Sequence, residues 1–173
     1  MSLFDNIASI LTRSRSVILT THITPDGDGL GSALGLSRYL RARGKKTRVI
    51  NCSAMPPNLR WMVQDGEFTV WSADRHEQRL RGADAVVATD LGNASRLGRM
   101  EQPVRRASGT RILIDHHIYQ NDLFDLPLIV VEASSSAEIV YDLIRHMGGE
   151  ITPDIAEPLY VGLISDTGNF AYS

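Results

Sequence analysis

The alternation of short apolar runs with segments of helical spacing constrains the fold of this chain more than any other feature. The runs are rich in branched residues and almost continuously apolar, which is typical of strands buried on both faces of a parallel sheet. These runs occupy 16–21, 46–52, 84–90, 110–117 and 126–132. Helical spacing occurs at 1–15, 29–44, 56–63, 134–149 and 152–165. We therefore expect one α/β domain over residues 1–173, with a mostly parallel β-sheet flanked by helices.

Composition excludes several classes of protein. A formal charge of −2 gives no overall field for nucleic acid or a membrane surface, so any nucleic-acid contact must be local. The single cysteine, Cys52, cannot form an intrachain disulfide, which favours a reducing compartment, and we expect it to serve packing. No run approaches the ~20 apolar residues of a membrane span. The N-terminal segment has helical spacing and no signal-peptide pattern, so the sequence predicts a cytoplasmic protein.

Acids and histidines gather where the apolar elements end. They are His22, Asp26 and Asp28 after the first run, Asp90 after the third, Asp115, His116 and His117 at the end of the fourth, and Asp166 at the end of the last helix. In an open parallel sheet, groups just beyond the carboxyl ends of the strands face one crevice. We therefore expect these side chains to meet.

Such a cluster, without a matching set of lysines and arginines, is unfavourable unless cations lie within it. Aspartate and histidine together, without cysteine, favour Mn²⁺ or Mg²⁺ and allow Fe, Co or Zn. The ligands outnumber those of one transition-metal site, so two ions sharing a bridging carboxylate is the economical interpretation. Structural roles stay open for each residue alone, because a strand-end acid often caps the next helix and adjacent histidines on a strand point in opposite directions.

Other templates for a functional site fail. The segment 27–32 lacks the third glycine of a dinucleotide-binding fingerprint, and the chain contains neither a P-loop nor a nucleophile elbow. An EF-hand is excluded because Leu30 and Ser37 stand where that loop needs ligands.

Four short motifs in order resemble the DHH phosphoesterase family: "HITPDGDGLGS" (22–32), "ATDLGN" (88–93), "IDHH" (114–117) and "GLISDTGNF" (162–170). The resemblance covers nearly the whole chain and implies a DHH-type catalytic domain with two divalent ions, Mn²⁺ first, with Mg²⁺ or Co²⁺ as alternatives. It implies that His22 and Asp26 bind one ion and that Asp28 and His116 bind the other. Asp90 and Asp166 would contribute to both, with Asp90 as the bridge.

The resemblance also implies roles around the ions. His117 would contact a substrate phosphate, and Asp115 would orient ligands from behind, so that Asp90, His117 and Asp115 form the catalytic set. Gly29, Gly31 and Ser32 would lie close to the substrate. Glu138, which opens a helix in "SSSAEIVYDLI", would serve either as a helix-end charge, the favoured interpretation, or as a substrate contact.

Within the family, the Asp-Gly-Asp motif resembles the nanoRNase and 3′-phosphoadenosine 5′-phosphate phosphatase branch. The expected reaction is hydrolysis of short oligoribonucleotides, of the 3′-phosphate of 3′-phosphoadenosine 5′-phosphate, or both, by a water activated by two metals. Alternatives are a cyclic-dinucleotide phosphodiesterase, a pyrophosphatase, a single-strand DNA exonuclease, or a nucleotide- or metal-binding module without turnover. Partners would be short RNA or a small nucleotide, with no membrane and with a homodimer as an option.

The last residues carry one more expectation. A strand is expected to start at Asn169, so that the domain would be truncated near its C-terminal end. Family members carry a second, substrate-binding domain, which is expected to be absent from this chain.

Overall fold

The structure, a computed structural model, describes residues 2–171 and contains one six-stranded sheet in which every pair is parallel. The strands are β1 (Ser16–Thr20), β2 (Lys46–Asn51), β3 (Phe68–Val70), β4 (Ala85–Thr89), β5 (Thr110–Asp115) and β6 (Leu126–Ile129). The α-helices are α1 (Leu3–Arg13), α2 (Gly27–Ala42), α3 (Ala73–Arg81), α4 (Glu101–Arg105), α5 (Ser136–His146) and α6 (Pro153–Asp166). Two 3₁₀ helices cover Pro57–Met62 and Ala94–Met100.

The strand order creates a crevice in the middle of the sheet. The order is β3-β2-β1-β4-β5-β6, so the chain leaves β1 toward one edge and returns at β4 to build toward the other. In doubly wound sheets of this kind, ligands bind outside the carboxyl ends of the strands where the order reverses. The ends of β1 and β4 are therefore the expected location of a functional site.

Helices cover both faces of the sheet. One hydrophobic core joins α1, α2, α5 and α6 to the inward residues of the strands, such as Val17, Val49 and Val87. A second core joins α3 and α4 to the alternate residues, such as Ile18 and Val86. Successive strand residues point to opposite faces, so burial on both faces requires the continuous apolar runs seen in the sequence.

Helix α2 packs unusually close to α6. Its residues from Gly27 to Leu40 are buried, and glycines recur every four residues on the side that faces α6. A Cβ added to Gly31 would overlap the backbone carbonyl oxygen of Pro158, and one added to Gly35 would lie 2.6 Å from Leu159 Cδ2. These glycines bring the start of α2 next to the end of α6.

The structure confirms the predicted fold class and the ten predicted segments, whose boundaries shift by one to three residues. The segment 56–63 forms a 3₁₀ helix rather than an α-helix. Strand β3, helix α3, helix α4 and the 3₁₀ helix Ala94–Met100 were not predicted. Strand β3 has three residues and α4 has five, and α3 is mostly charged, with only His76 and Leu80 buried.

The predicted strand at Asn169 is wrong for the residues described. Thr167–Ala171 form a turn, in which Asn169 and Phe170 have φ of 60° and 61°. The amide of Asn169 donates to the carbonyl of Ile164 at 2.9 Å, so the chain curls at the end of α6 instead of extending. Residues 172 and 173, which the predicted strand also included, lie outside the described residues.

Replacing Gly31→Ala tests the helix contact. We expect a loss of about 1–3 kcal/mol in the free energy of unfolding, because the new methyl group meets backbone that cannot rotate away. Urea unfolding followed by circular dichroism measures it. Gly35→Ala is the comparison variant, since a Cβ there meets the Leu159 side chain, 2.6 Å from Cδ2, rather than backbone. It should destabilise the chain less than Gly31→Ala, because a side chain can shift and alanine favours the helix by about 1 kcal/mol. Equal stability of Gly31→Ala and the parent chain would contradict the close contact.

Candidate metal centre

The first candidate ligands follow the ends of the two central strands. His22 follows β1 by two residues and Asp90 directly follows β4. Asp90 adopts φ of +51°, a left-handed conformation that non-glycine residues rarely take, although aspartate tolerates it better than most. Its amide donates to the carbonyl of Ile114 at 3.0 Å, which fixes the turn against β5. The strained turn directs the Asp90 carboxylate into the crevice.

One group of ligand-type atoms consists of His22, Asp26 and Asp90. The Nε2 atom of His22 lies 3.4 Å from Asp26 Oδ2 and 3.4 Å from Asp90 Oδ2. His22 and Asp90 are buried, whereas the Asp26 side chain is half exposed. The nitrogen and the two carboxylate oxygens lie within 4.8 Å of one another, which is close enough for all three to contact one ion.

A second group consists of Asp28, His116 and Asp166. His116 Nε2 lies 3.4 Å from Asp166 Oδ2 and 3.8 Å from Asp90 Oδ1. The two oxygens of Asp90 therefore face opposite ways, one toward His22 and the other toward His116. Among the residues described, Asp166 gathers with the second group and not with the first.

The acids in the first loop combine structural and site roles. Asp26 is the N-cap of α2, and its Oδ1 atom accepts hydrogen bonds from the amides of Asp28 and Gly29, both at 3.1 Å. Its second oxygen remains free to face His22. The capping role that sequence reasoning left open is therefore present, and it orients the carboxylate rather than removing it from the site.

Asp28 is fully buried against the start of α5. Its carboxylate accepts hydrogen bonds from the amides of Ser136 at 2.7 Å and Ala137 at 2.9 Å, and from the Ser32 hydroxyl at 3.3 Å. Burial, together with the nearby charge of Asp90, raises the pKa of Asp28 to about 8 despite these donors. Without a cation, this carboxyl group therefore holds a proton at neutral pH.

Asp115 organises the backbone around the crevice. Its Oδ2 atom accepts hydrogen bonds from the amides of Leu91 at 2.8 Å and Gly92 at 2.6 Å, in the turn that follows Asp90. Its Oδ1 atom accepts from the His117 amide at 3.0 Å and lies 2.9 Å from His117 Nδ1. Both oxygens are thus occupied, which suits a residue that positions Asp90 and His117.

His116 and His117 both face the Asp90 carboxylate, His116 through Nε2 and His117 through Nδ1. His116 Nδ1 lies 3.3 Å from the Ala133 carbonyl oxygen, which can only accept, so the proton is on Nδ1 and the Nε2 lone pair points into the site. His117 Nδ1 lies 3.4 Å from Asp90 Oδ1, and its side chain is about half exposed at the mouth of the crevice. Their rings meet edge to face at 4.3 Å.

Buried polar atoms without partners show that this cluster fits a cation. Both ring nitrogens of His22, Asp90 Oδ1 and His116 Nε2 are buried and make no hydrogen bond among the residues described. Burial alone would lower the pKa of His22, but the carboxylates of Asp26 and Asp90 outweigh it and raise that pKa to about 9. Burial also raises the pKa of Asp166. A set of unpartnered nitrogen and carboxylate donors satisfies the requirements of a divalent ion.

Arg96 was not identified from the sequence. It is half-buried in the 3₁₀ helix Ala94–Met100, and its Nη1 atom donates to the Leu91 carbonyl at 3.3 Å. A Cβ added to Gly92 would lie 3.5 Å from Arg96 Nη1 and 3.8 Å from the His117 ring, so both side chains border Gly92. The arginine charge also opposes protonation of His22. The only sequence signal was an arginine six residues after Asp90.

Apart from the half-exposed Glu138, the remaining predicted residues lie inside the protein. An added Cβ at Gly29 would overlap the Thr21 hydroxyl, so Gly29 and Gly31 have packing roles, and Ser32 supports Asp28. Their predicted contact with substrate stays a prediction. Glu138 Oε2 accepts from the Ser134 amide at 2.8 Å and hydroxyl at 2.7 Å, which confirms the helix-end interpretation. Cys52 is buried in the second core, as expected.

Fold and site together define an α/β domain with a histidine–carboxylate centre at the switch point of a parallel sheet. The chain belongs to the DHH family, because residues 16–163 match the family described as DHH family, N-terminal domain. This confirms the family predicted from the four motifs. Among the residues described, no helix combines the length and apolar character needed to cross a membrane.

A curated relative supports the same family. The bifunctional oligoribonuclease and PAP phosphatase NrnA of Thermus thermophilus is 36% identical over 158 residues, which cover 91% of this chain and 45% of that protein. The chain spans about half the length of the first curated relatives it matches, between 45% and 52%.

Solved structures share the fold. An exopolyphosphatase-related protein from Bacteroides fragilis superposes with a TM-score of 0.91 at 32% identity, over 98% of this chain and 51% of that chain. RecJ from Thermus thermophilus, solved in complex with Mn²⁺, gives a TM-score of 0.58 at 17% identity, over 99% of this chain and 26% of that chain. At that identity the likeness to RecJ is one of fold alone.

The metal-free chain is expected to lose stability as pH rises from 6 to 9. The pKa of His22 is raised from 6.5 to about 9 and that of Asp28 from 3.8 to about 8, so the folded chain binds more protons than the unfolded chain in this range. The free energy of unfolding should fall by at least about 2 kcal/mol. Urea unfolding in chelator measures it, and His22→Gln should flatten the upper part of the curve. A free energy of unfolding that stays constant or rises between pH 6 and 9 would contradict the raised pKa values of His22 and Asp28.

Proposed function

We propose that this chain carries the metal centre of a phosphoesterase that hydrolyses short oligoribonucleotides, the 3′-phosphate of 3′-phosphoadenosine 5′-phosphate, or both. The observation that carries the proposal is that two three-residue groups of ligand-type atoms lie on either side of Asp90. Its Oδ2 atom faces His22 of the first group and its Oδ1 atom faces His116 of the second. The name of the Thermus thermophilus relative gives the substrate class, since that protein is an oligoribonuclease and PAP phosphatase. A second domain, a homodimer and a cytoplasmic location stay predictions.

Two Mn²⁺ ions are the proposed cofactors. His22 and Asp26 would hold one and Asp28, His116 and Asp166 the other, with Asp90 between them. Carboxylate and imidazole donors without thiolate suit Mn²⁺, with Mg²⁺ or Co²⁺ as alternatives. Two divalent ions in such a site supply an activated water and stabilise the entering and leaving oxygens of a displacement at phosphorus.

The chain's own residues prepare that chemistry. The Ala133 carbonyl oxygen lies 3.3 Å from His116 Nδ1 and accepts its proton in a hydrogen bond, so in the neutral ring the Nε2 lone pair faces a ligand. Helix-start amides hold the carboxyl groups of Asp26 and Asp28 in place before any ion arrives. Asp115 accepts hydrogen bonds both from the turn that follows Asp90 and from His117. It therefore fixes the position of the Asp90 side chain relative to that of His117.

His117 and Arg96 are the proposed contacts for the substrate phosphate. His117 is exposed at the mouth of the crevice, and Asp115 holds its Nδ1, which leaves Nε2 toward solvent and substrate. Arg96 and His117 both border Gly92, and Arg96 adds a positive charge beside an otherwise acidic cluster. A guanidinium can bind two phosphate oxygens at once, so Arg96 would orient the scissile phosphate as well as attract it.

Asp90→Asn tests the metal centre directly. We expect the parent chain to bind two Mn²⁺ ions and the variant to bind one or none, because the amide removes the charge shared by both groups. Isothermal titration with MnCl₂ measures the stoichiometry, and hydrolysis of a dinucleotide should fall at least about 100-fold.

Asp74→Asn is the matched control, since it removes an exposed carboxylate on α3 and should retain two ions. Undiminished metal binding in Asp90→Asn would refute the bridging role. Two bound ions with no turnover of a dinucleotide, 3′-phosphoadenosine 5′-phosphate or a cyclic dinucleotide would support the centre and reject the substrate class.

Arg96→Gln tests the phosphate contact. We expect the KM for a dinucleotide to rise about tenfold, since a charge-assisted hydrogen bond is lost, while the Mn²⁺ stoichiometry stays the same. Arg106→Gln, which removes an exposed guanidinium bonded only to its own helix, should leave KM unchanged. Equal KM values for Arg96→Gln and the parent chain would exclude Arg96 from substrate binding.

A further inference from the structure

A second cavity lies at the opposite edge of the sheet from the metal centre. It has a volume of about 270 Å³ and opens between the starts of β1 and β2 and the C-terminal half of α3. We call it the basic cavity, because its lining includes the three cationic side chains Lys46, Arg48 and Arg79. Ile18 and Ala83 form the apolar part of its wall.

Strand register places the cations together. Lys46 pairs with Ser16 and Arg48 pairs with Ile18, so both basic residues are on the side of β2 that faces α3. Arg79 comes from α3 across the cavity, and no sequence pattern connects it to residues thirty positions earlier. The cluster is therefore a product of the β3–α3–β4 crossover.

The three cations have no acidic partner among the residues described. No carboxylate oxygen lies within 4.0 Å of Lys46, Arg48 or Arg79, whereas several other arginines form ion pairs: Arg38 and Arg41 with Glu67, Arg105 with Asp122, and Arg111 with Asp125. This concentration of positive charge occurs in a chain with 20 acids and 18 lysines and arginines. Like charges held together without counter-charge cost stability, which an anion would relieve.

Two neighbouring ionisable groups, Asp84 and His76, bear on the charge of this cavity. Asp84 is at the same edge, but its Oδ2 atom already accepts hydrogen bonds from the amides of Arg15 at 2.8 Å and Ser16 at 2.9 Å. His76 is buried on α3, and its pKa is lowered by burial and then by the charges of Arg75, Arg79 and Arg48. The field under α3 therefore disfavours a further cation and favours an anion.

We propose that the basic cavity binds a phosphate or pyrophosphate group at a site separate from the metal centre. Two guanidinium groups and one ammonium group match the oxygens of such an anion, and guanidinium binds phosphate in a bidentate manner. The volume is below the roughly 300–1,000 Å³ of pockets that enclose a drug-sized ligand, so it suits the phosphate group rather than a whole nucleotide.

Distance separates this site from the proposed reaction. The basic cavity is at the amino ends of β1 and β2, and the metal centre is beyond the carboxyl ends of β1 and β4. A strand of five residues spans about 16 Å, so an anion in the basic cavity does not reach the metal ligands. The proposal therefore does not rest on the phosphoesterase function.

The test is isothermal titration of the metal-free chain, in EDTA, with inorganic pyrophosphate and with inorganic phosphate at constant ionic strength. We expect one saturable site per chain. Arg48→Gln and Arg79→Gln should each weaken binding about tenfold, because each removes one charge-assisted contact. Arg79 is exposed on α3, so its replacement should leave the fold intact, which circular dichroism checks.

Two controls make the outcomes decisive. Arg60→Gln removes an exposed arginine in the 3₁₀ helix Pro57–Met62, away from the cavity, and should bind pyrophosphate like the parent chain. Asp90→Asn should also bind normally if the anion avoids the metal centre. The absence of saturable binding, an equal loss in Arg60→Gln, or a change in Asp90→Asn without one in Arg79→Gln would each overturn the proposal.

Discussion

The close contact between α2 and α6 is the interaction on which the rest of the structure depends. Glycines on α2 let the helix lie against the backbone of α6, so that Asp28 at the start of one helix reaches the same crevice as Asp166 at the end of the other. Side chains at Gly31 or Gly35 would push the helices apart. Because the second ligand group draws on both helices, the separation of the helices sets the separation of its carboxylates.

Hydrogen bonding divides the buried polar groups into two kinds. Asp28 and Asp115 have their oxygens occupied by backbone amides, whereas His22, Asp90 and His116 present atoms with no partner among the residues described. Unsatisfied buried groups are costly, so four such atoms concentrated on three neighbouring side chains suit a bound cation. The same sheet presents the opposite charge at its other edge, where three cations lack an acidic partner within residues 2–171.

Much of this arrangement could be predicted from the sequence, and the failures have physical causes. Strands buried on both faces leave a strong apolar signal, so all but β3 were identified. Helix α3 exposes most of its surface, and its pattern therefore carries little apolar information. Asn169 follows a glycine at the end of α6, where a left-handed turn competes with a strand. Arg96 was missed because a single arginine in a short 3₁₀ helix has no distinguishing pattern.

The amino-acid sequence was sufficient to predict the parallel α/β class and the gathering of acids and histidines at one edge of the sheet, because apolar periodicity defines strands and polar residues then mark their ends. The three-dimensional packing was needed to show how the candidate ligands divide between the two oxygens of Asp90, which ring nitrogen of His116 the Ala133 carbonyl leaves free, and that Arg79 and Arg48 line one cavity. These features depend on strand order, register and helix contacts between segments far apart in the chain. Local periodicity specifies which face a residue occupies, but only packing specifies what lies opposite it.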